Sequence, residues 1–154
     1  MPDTSTTPLQ PKVITPDEGT RINAFGLPMN IMLRAEETGG AFASMVVTIP
    51  PGEGPPPHFH HDHEEYFFVL EGEFAVTVGG KTATATPGSM MFVPRGTVHS
   101  FKCASPTPGR LLEWATPGGQ ERYFEAIAKL GEDGALNPEN VVAVSRRFET
   151  EFVG

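Results

Sequence analysis

The chain has 154 residues, 38% of them hydrophobic, a size at which one domain can bury a core without disulfides. Its formal net charge of −8, from 11 Lys and Arg against 19 Asp and Glu, argues against a nucleic-acid partner or an anionic membrane surface. The single cysteine excludes an internal disulfide and favours a reducing, cytoplasmic location, and no stretch approaches the ~20 apolar residues that a membrane helix needs.

Residues 1–20, rich in Thr and Pro, are predicted to form an N-terminal arm, either loose or laid along another surface. They are not typical of a secretory signal, because no basic segment precedes an apolar run. From residue 21 to residue 119, short strand-like segments alternate with Gly and Pro turn signals. The predicted strands are 30–36, 41–49, 66–70, 74–78, 81–86, 90–93, 98–103 and 110–115. This pattern predicts an all-β antiparallel barrel or sandwich, with a hairpin turn at Gly79-Gly80.

Residues 120–154 change to a helical hydrophobic period and predict two short helices. The first helix has its apolar positions at Tyr123, Phe124, Ile127 and Leu130. We expect Gly131 to end it. Asn137 and Pro138 are suited to the N-cap and first turn of the second helix. Its apolar stripe comprises Val141, Val144, Phe148 and Phe152. Both helices are too short to be stable alone, so we expect them to pack on the barrel or on a second copy.

All five histidines lie in two places in the sequence. His58, His60, His61 and His63 form one group, and His99 stands alone in the second. Residues two apart on a strand point to the same face, so the imidazoles of His58 and His60 can grip one metal ion at ~2.1 Å. A barrel can bring the strand that His99 opens opposite them. Imidazole with carboxylate is the usual ligand set of Zn, Fe, Ni, Cu and Mn.

The two histidine segments resemble the two sequence motifs of the cupin family. The first motif, G-x5-H-x-H-x4-E-x6-G, is matched by Gly52, His58, His60, Glu65 and Gly72. The second, G-x5-P-x-G-x2-H-x3-N, is matched by Gly88, Pro94, Gly96 and His99, with Cys103 in the place of an Asn that is usually not a ligand. The resemblance implies a jelly-roll β-barrel that holds one divalent metal ion, Fe, Ni, Mn, Co, Cu or Zn, through His58, His60, Glu65 and His99.

The identity of the carboxylate ligand is a choice between neighbours. In an unbroken strand Glu64, not Glu65, would share a face with His60. The motif spacing favours Glu65, and a kink at residues 61–63 would reconcile the two. We expect His61 and His63 to lie at the barrel mouth or outside, in a structural or solvent-facing role. The alternative is that they contact the substrate or support the metal ligands.

Side-chain alternation predicts the lining of a cavity beside the metal. Phe67 and Val69 share a face with Glu65, and Phe101 shares one with His99, so these three are predicted substrate contacts. The sequence from 58 to 73 and the Thr-Pro-Gly-Gly at 116–119 resemble the small bacterial quercetin 2,3-dioxygenase-like cupins. That resemblance implies that Glu65 is both a ligand and the base that accepts a flavonol hydroxyl proton before dioxygen opens the ring.

Three functions remain open at this point. The first is a metal-dependent dioxygenase that uses O2 on a flavonol, an enolised diketone or another small aromatic substrate. The second is a non-oxidative cupin metalloenzyme, an isomerase, cyclase or decarboxylase, for which we expect a more polar cavity. The third is a non-catalytic cupin that binds a small molecule. A homodimer is expected in each case, because barrels of this type leave strand edges and apolar faces to cover.

Overall fold

The computed structural model describes residues 8–153, which fold mainly as antiparallel β-strands with two helices near the C-terminus. The strands are β1 (Thr20–Ala24), β2 (Leu27–Leu33), β3 (Ala43–Ile49), β4 (His58–His60), β5 (Glu64–Glu71), β6 (Phe74–Val78), β7 (Lys81–Ala85), β8 (Met90–Val93), β9 (His99–Cys103), β10 (Gly109–Thr116) and β11 (Thr150–Phe152). The helices are α1 (Gln120–Glu132) and α2 (Pro138–Arg147).

The strands form two sheets whose inner faces enclose the core. The larger sheet has the order β1-β2-β3-β10-β5-β8 and the smaller one β11-β4-β9-β6-β7. The predicted all-β jelly roll with two C-terminal helices is therefore confirmed. Over residues 8–153 the two hydrogen-bonded ladders stay separate, so the jelly roll is a sandwich rather than one continuous closed barrel.

Alternation along the strands decides which side chains enter the core. In β10, Leu111 and Ala115 are buried while Leu112 and Trp114 are partly exposed on the opposite face. The hairpin between β6 and β7 turns at Gly79-Gly80 as predicted. Both glycines there have positive φ, 57° and 79°, which two-residue hairpin turns of this type require.

The C-terminal region differs from its prediction in two places. Gly131 lies inside α1, which continues to Glu132. The second helix begins as predicted, with the Asn137 side chain accepting from the backbone of Asn140, but it ends at Arg147. Glu149 then adopts a left-handed φ of 57°, which turns the chain back. Phe152 therefore belongs not to the helical stripe but to β11, which pairs with β4.

The N-terminal part of the larger sheet also departs from the sequence prediction. β2 ends at Leu33, and residues 35–38 form a single 3-10 turn instead of continuing the strand. Residues 8–19 have no regular strand or helix, and their Lys12 is ion-paired with Glu37. The rest of the predicted arm, residues 1–7, lies outside the described residues. Neither helix within residues 8–153 is long and apolar enough to cross a bilayer.

Candidate metal centre and its cavity

The two sheets together supply a cluster of three histidines and one glutamate. His58 and His60 lie on β4, and His99 lies on β9, where it stands directly opposite His58 in the antiparallel register. Glu65 comes from β5 in the other sheet and is 1% exposed. All four side chains are buried, so the cluster lies between the sheets.

The choice between Glu64 and Glu65 is explained by a break in the chain at residues 61–63. This bend separates β4 from β5, so the parity of a continuous strand does not apply across it. Glu64 points outward, where its carboxylate accepts two hydrogen bonds of 2.7 Å from the Arg95 guanidinium. These bonds lower the pKa of Glu64 to about 2. Glu65 is the carboxylate that joins the histidines.

The ligand atoms of the cluster lie close together, but they do not form hydrogen bonds with one another. One atom each from His58, His60, Glu65 and His99 lies within 4.8 Å of all the others. The Glu65 Oε1 contacts the His60 Nε2 and lies 3.2 Å from the His99 Nε2. These three atoms are buried and have no hydrogen-bond partner among the described residues. Orphaned lone pairs that face one another at this spacing fit a divalent ion with bonds of about 2.1 Å.

Each histidine of the cluster is oriented through its other ring nitrogen. The Nδ1 of His58 is 2.8 Å from the Pro56 carbonyl, and that of His99 is 2.9 Å from the Thr97 carbonyl. The Nδ1 of His60 is 2.7 Å from the Oγ1 of Thr150 on β11. Since Nδ1 donates in each case, Nε2 is left with a free lone pair. This is the arrangement that metal-binding imidazoles use.

Burial and mutual contact set the charges in the cluster. Burial alone would raise the pKa of Glu65, but the adjacent His60 and His99 outweigh it and hold that pKa well below its usual range. Burial, reinforced by the neighbouring His99, lowers the pKa of His58 to about 4. For His99, burial lowers the pKa, but the Glu65 carboxylate more than compensates and the net shift is upward. Glu65 is therefore ionised, as a metal ligand must be.

The two remaining histidines lie in different environments. His61 is exposed and contacts Glu151 at 2.9 Å, in line with the solvent-facing prediction. For His63 only the solvent-facing part of the prediction is wrong, because the side chain is 7% exposed and stacks on the His60 ring at a centroid distance of 4.3 Å. Its Nε2 lies 4.0 Å from the Glu65 Oε1. The bend at residues 61–63 turns His63 inward, behind the cluster.

An apolar cavity of about 480 Å³ adjoins the cluster. Its wall includes His58, His60 and Glu65 together with mostly hydrophobic side chains: Phe25, Leu27, Met29, Val47, Ile49, Phe67, Phe101, Tyr123, Phe124 and Phe152. The structure thus places two of the three predicted substrate contacts, Phe67 and Phe101, on this wall. Val69 is buried in the core and is not part of the wall.

Two buried polar residues of the wall were missed by the sequence analysis. Glu113 occupies the inward position of β10 between Leu111 and Ala115, and it is 4% exposed. Burial, followed by the neighbouring Glu65, raises its pKa well above the usual range. Gln120, the first residue of α1, donates from Nε2 to the Glu65 Oε2 at 2.9 Å. The alternation of side chains along β10 could have predicted that Glu113 points inward. The local sequence around Gln120 contains no comparable signal.

The chain is similar to proteins of one family over about half its length. Residues 45–115 match the family model described as a cupin domain. Quercetin 2,3-dioxygenase of Bacillus subtilis is 28% identical over 117 residues, which cover 76% of this chain and 34% of that protein. Mannose-1-phosphate guanylyltransferase RfbM of Salmonella typhimurium is 26% identical over 115 residues, which cover 75% of this chain and 22% of that protein. The chain thus spans only a minor part of these curated relatives.

Solved structures show the same fold at low sequence identity. The structure of KdgF from a Halomonas species superposes with a TM-score of 0.65 at 18% identity, and the match covers 73% of this chain and 99% of that one. At this identity the likeness concerns the arrangement of the strands. The matched part of the present chain therefore has the size of a complete small domain of this kind.

Proposed function

We propose that this chain is a small cupin and a metal-dependent dioxygenase of the quercetin 2,3-dioxygenase-like type. Its substrate would be a flavonol, an enolised diketone or another small aromatic molecule. The observation that carries the proposal is a buried three-histidine, one-glutamate cluster, of which His58, His60 and Glu65 line an apolar cavity of about 480 Å³. The sequence similarity to the Bacillus subtilis enzyme supports the choice of chemistry.

The cluster would hold one divalent ion through His58, His60, Glu65 and His99. Fe, Ni, Mn, Co, Cu and Zn all accept this donor set, so availability in the cell would select among them. Four protein ligands leave one or two positions free on an ion that accepts five or six, and an ion bound there would polarise a substrate oxygen and bring it together with dioxygen. The apolar wall would exclude water from these positions.

Glu65 is the residue that we assign to proton transfer. Its pKa lies well below the usual range, so it is a carboxylate at neutral pH and can accept the hydroxyl proton of an enol. The two oxygens of Glu65 have different surroundings. Oε1 faces the histidines, and Oε2 accepts a hydrogen bond from the Gln120 amide. Phe67 and Phe101 line the cavity and would pack against the planar body of the substrate.

Two measurements on the full-length protein test this function. Elemental analysis of protein purified without a histidine tag or chelator should find about one equivalent of a divalent transition metal. An oxygen electrode should then record uptake that depends on a flavonol or diketone. Protein that neither contains nor takes up metal would overturn the site, and metal-loaded protein without O2 uptake on such a panel would overturn the dioxygenase.

A second candidate is a non-oxidative metalloenzyme, such as a cyclase, isomerase or decarboxylase. The observation that favours it is Glu113, a second carboxyl group that faces the cavity beside Glu65. Two carboxyl groups in unequal environments suit acid–base chemistry that needs no oxidant. Substrate turnover under nitrogen would favour this candidate. A phosphate or carboxylate substrate does not fit it well, because no Lys or Arg of the described residues lines the cavity.

The homodimer remains a prediction. A second copy would cover the outer face of the larger sheet, where the exposed Met90 and Phe92 lie beside the stacked rings of Tyr66 and Trp114. Static light scattering at micromolar concentration should give about twice the chain mass. A monomer at that concentration would contradict the expectation without affecting the metal site.

A further inference from the structure

We propose that Glu113 and Gln120 form a subsite that selects the substrate by binding one of its hydroxyl groups beside Glu65. The inference rests on the proposed function in taking this cavity as the substrate site. It adds the class of molecule that the cavity accepts: a neutral, largely apolar compound that carries a hydroxyl group close to the oxygen that Glu65 would deprotonate. We call Glu113 and Gln120 the hydroxyl subsite.

Glu113 is in a place where the fold calls for an apolar side chain. It lies on a central strand, paired with Met45 on one side and Phe67 on the other. The neighbouring inward positions, Leu111 and Ala115, are both apolar and no more than 1% exposed. A carboxyl group buried at such a position disfavours folding unless it has partners. Glu65 and Gln120 are close enough to act as such partners. Because Glu113 also lines the cavity, its carboxyl group remains open to a ligand.

Gln120 offers a hydrogen-bond acceptor that the protein does not use. Its amide nitrogen is engaged with the Glu65 Oε2, and its Oε1 has no partner among the described residues. The side chain is 6% exposed and lines the same cavity. A buried, unpartnered carbonyl oxygen requires a donor, and here that donor has to come from the cavity.

The charges around the cavity determine which group fits the subsite. The amide oxygen of Gln120 accepts hydrogen bonds, and a carboxyl group accepts them or, when protonated, donates one, so a hydroxyl group, which can do both, matches the pair. An anionic group is disfavoured, because the lining includes the acidic residues Glu53, Glu65 and Glu113 and no Lys or Arg of residues 8–153. The hydroxyl group of Tyr123, which also lines the cavity, already forms a hydrogen bond of 2.7 Å with the Ser145 Oγ. An apolar molecule that carries one hydroxyl group matches both the hydroxyl subsite and the hydrophobic side chains of the wall.

The subsite is adjacent to the proposed base. Gln120 contacts the oxygen of Glu65 that faces away from the histidines, and Glu113 interacts with both side chains. A hydroxyl held by Gln120 and Glu113 therefore lies beside the second oxygen of Glu65. In this way the subsite would orient the substrate on the metal-facing wall and distinguish it from an equally apolar molecule without the hydroxyl.

The test compares two probes that differ in one hydroxyl group, 2-naphthol and naphthalene. Their affinities for the full-length protein are measured by probe fluorescence at pH 7, before and after chelation, so that binding through a metal can be recognised. We expect 2-naphthol to bind at least about tenfold more tightly in both states. Glu113→Leu and Gln120→Leu should bring the two affinities within about threefold, and Glu113→Gln should keep most of the difference.

Glu64→Gln is the control, because Glu64 lies outside the cavity wall and is paired with Arg95. It should leave the preference for 2-naphthol unchanged. An equal affinity for the two probes in the unmodified protein, no binding of either, a preference that disappears on chelation, or a preference that survives in both Leu variants would each overturn the proposal.

A variant-free measurement covers the case in which the Leu variants fail to fold. After chelation, 2-naphthoate should bind more weakly than 2-naphthol, and the reverse order would overturn the hydroxyl subsite. The outcome is separate from that of the proposed function. If O2 uptake is absent but the preference holds and follows Glu113 and Gln120, then the dioxygenase fails and the subsite stands.

Discussion

The Nδ1 of His60 lies 2.7 Å from the Oγ1 of Thr150, although 90 positions separate the two residues in the chain. They face each other because β11 pairs with β4 in a register that sets Thr150 opposite His60. The Thr150 hydroxyl donates to the Phe148 carbonyl at 3.2 Å, so its oxygen accepts from the imidazole N–H. The last strand of the chain thereby fixes the tautomer and orientation of one candidate ligand.

Thr150→Val should weaken metal binding by about 10–100-fold, because the His60 ring loses the partner that orients it. Thr150→Ser keeps the hydroxyl and should stay within about threefold of the unmodified protein. The affinities are measured by competition with a fluorescent zinc chelator, with far-UV circular dichroism as the control for folding. Equal affinities for the Val and Ser variants would show that the contact does not orient the ring.

Glu65→Gln should lower metal affinity by at least about 100-fold, because the amide cannot supply the anionic oxygen that the three histidines surround. Glu64→Gln is the matched control one position away. It removes the ion pair with Arg95 on the outside and should leave the metal content at one equivalent. If the Glu64 variant loses the metal and the Glu65 variant keeps it, then the ligand is Glu64 and not Glu65.

The sequence was sufficient to predict β2, β3 and β5–β10, and its two motifs were sufficient for the composition of the cluster, but the predicted strands did not include β1, β4 or β11. Short strands reveal themselves by alternation and by the turns between them, and the hairpin at Gly79-Gly80 is an example in which the residue type dictates the backbone. The ligand spacing pointed to Glu65 rather than Glu64 although strand parity argued the other way. The structure resolves this conflict through the bend at residues 61–63, which also explains why His63 is buried rather than exposed.

The features that the sequence did not predict depend on long-range contacts. β11 has three residues and follows α2 directly, so its strand conformation depends on pairing with β4. Phe152 fits the helical stripe by spacing but is separated from it by the left-handed turn at Glu149. The role of Gln120 arises only when α1 docks and brings its side chain to Glu65, 55 positions earlier. No local pattern contains that information.

Phe101 and Val69 should respond differently to truncation, although both were predicted to contact the substrate. Phe101→Leu changes the cavity wall and should raise KM for an aromatic substrate by about tenfold or more. Val69→Ala removes two methyl groups from the buried core and should cost about 1–3 kcal/mol of the free energy of unfolding with KM unchanged. Steady-state kinetics and urea unfolding measure the two effects. A KM that rises equally in both variants would place Val69 in the substrate site.

The Tyr123 hydroxyl predicts how stability falls at high pH. It is buried against the Ser145 Oγ, and burial raises the pKa of Tyr123 to about 12. In the unfolded chain the phenol ionises near pH 10, so between pH 10 and 12 the folded state retains a proton that the unfolded state loses. The free energy of unfolding therefore declines as the pH rises through this window, by up to about 3 kcal/mol from this group.

Tyr123→Phe removes the ionisable group and isolates its contribution. At pH 8 the variant should be less stable by about 1 kcal/mol, because the Ser145 hydroxyl loses its partner. As the pH rises from 10 to 12 the difference should shrink and then reverse, since only the unmodified chain gains from ionising its unfolded state. Urea unfolding at intervals of half a pH unit measures both curves. Parallel curves across this range would mean that Tyr123 ionises in the folded protein near its ordinary pKa.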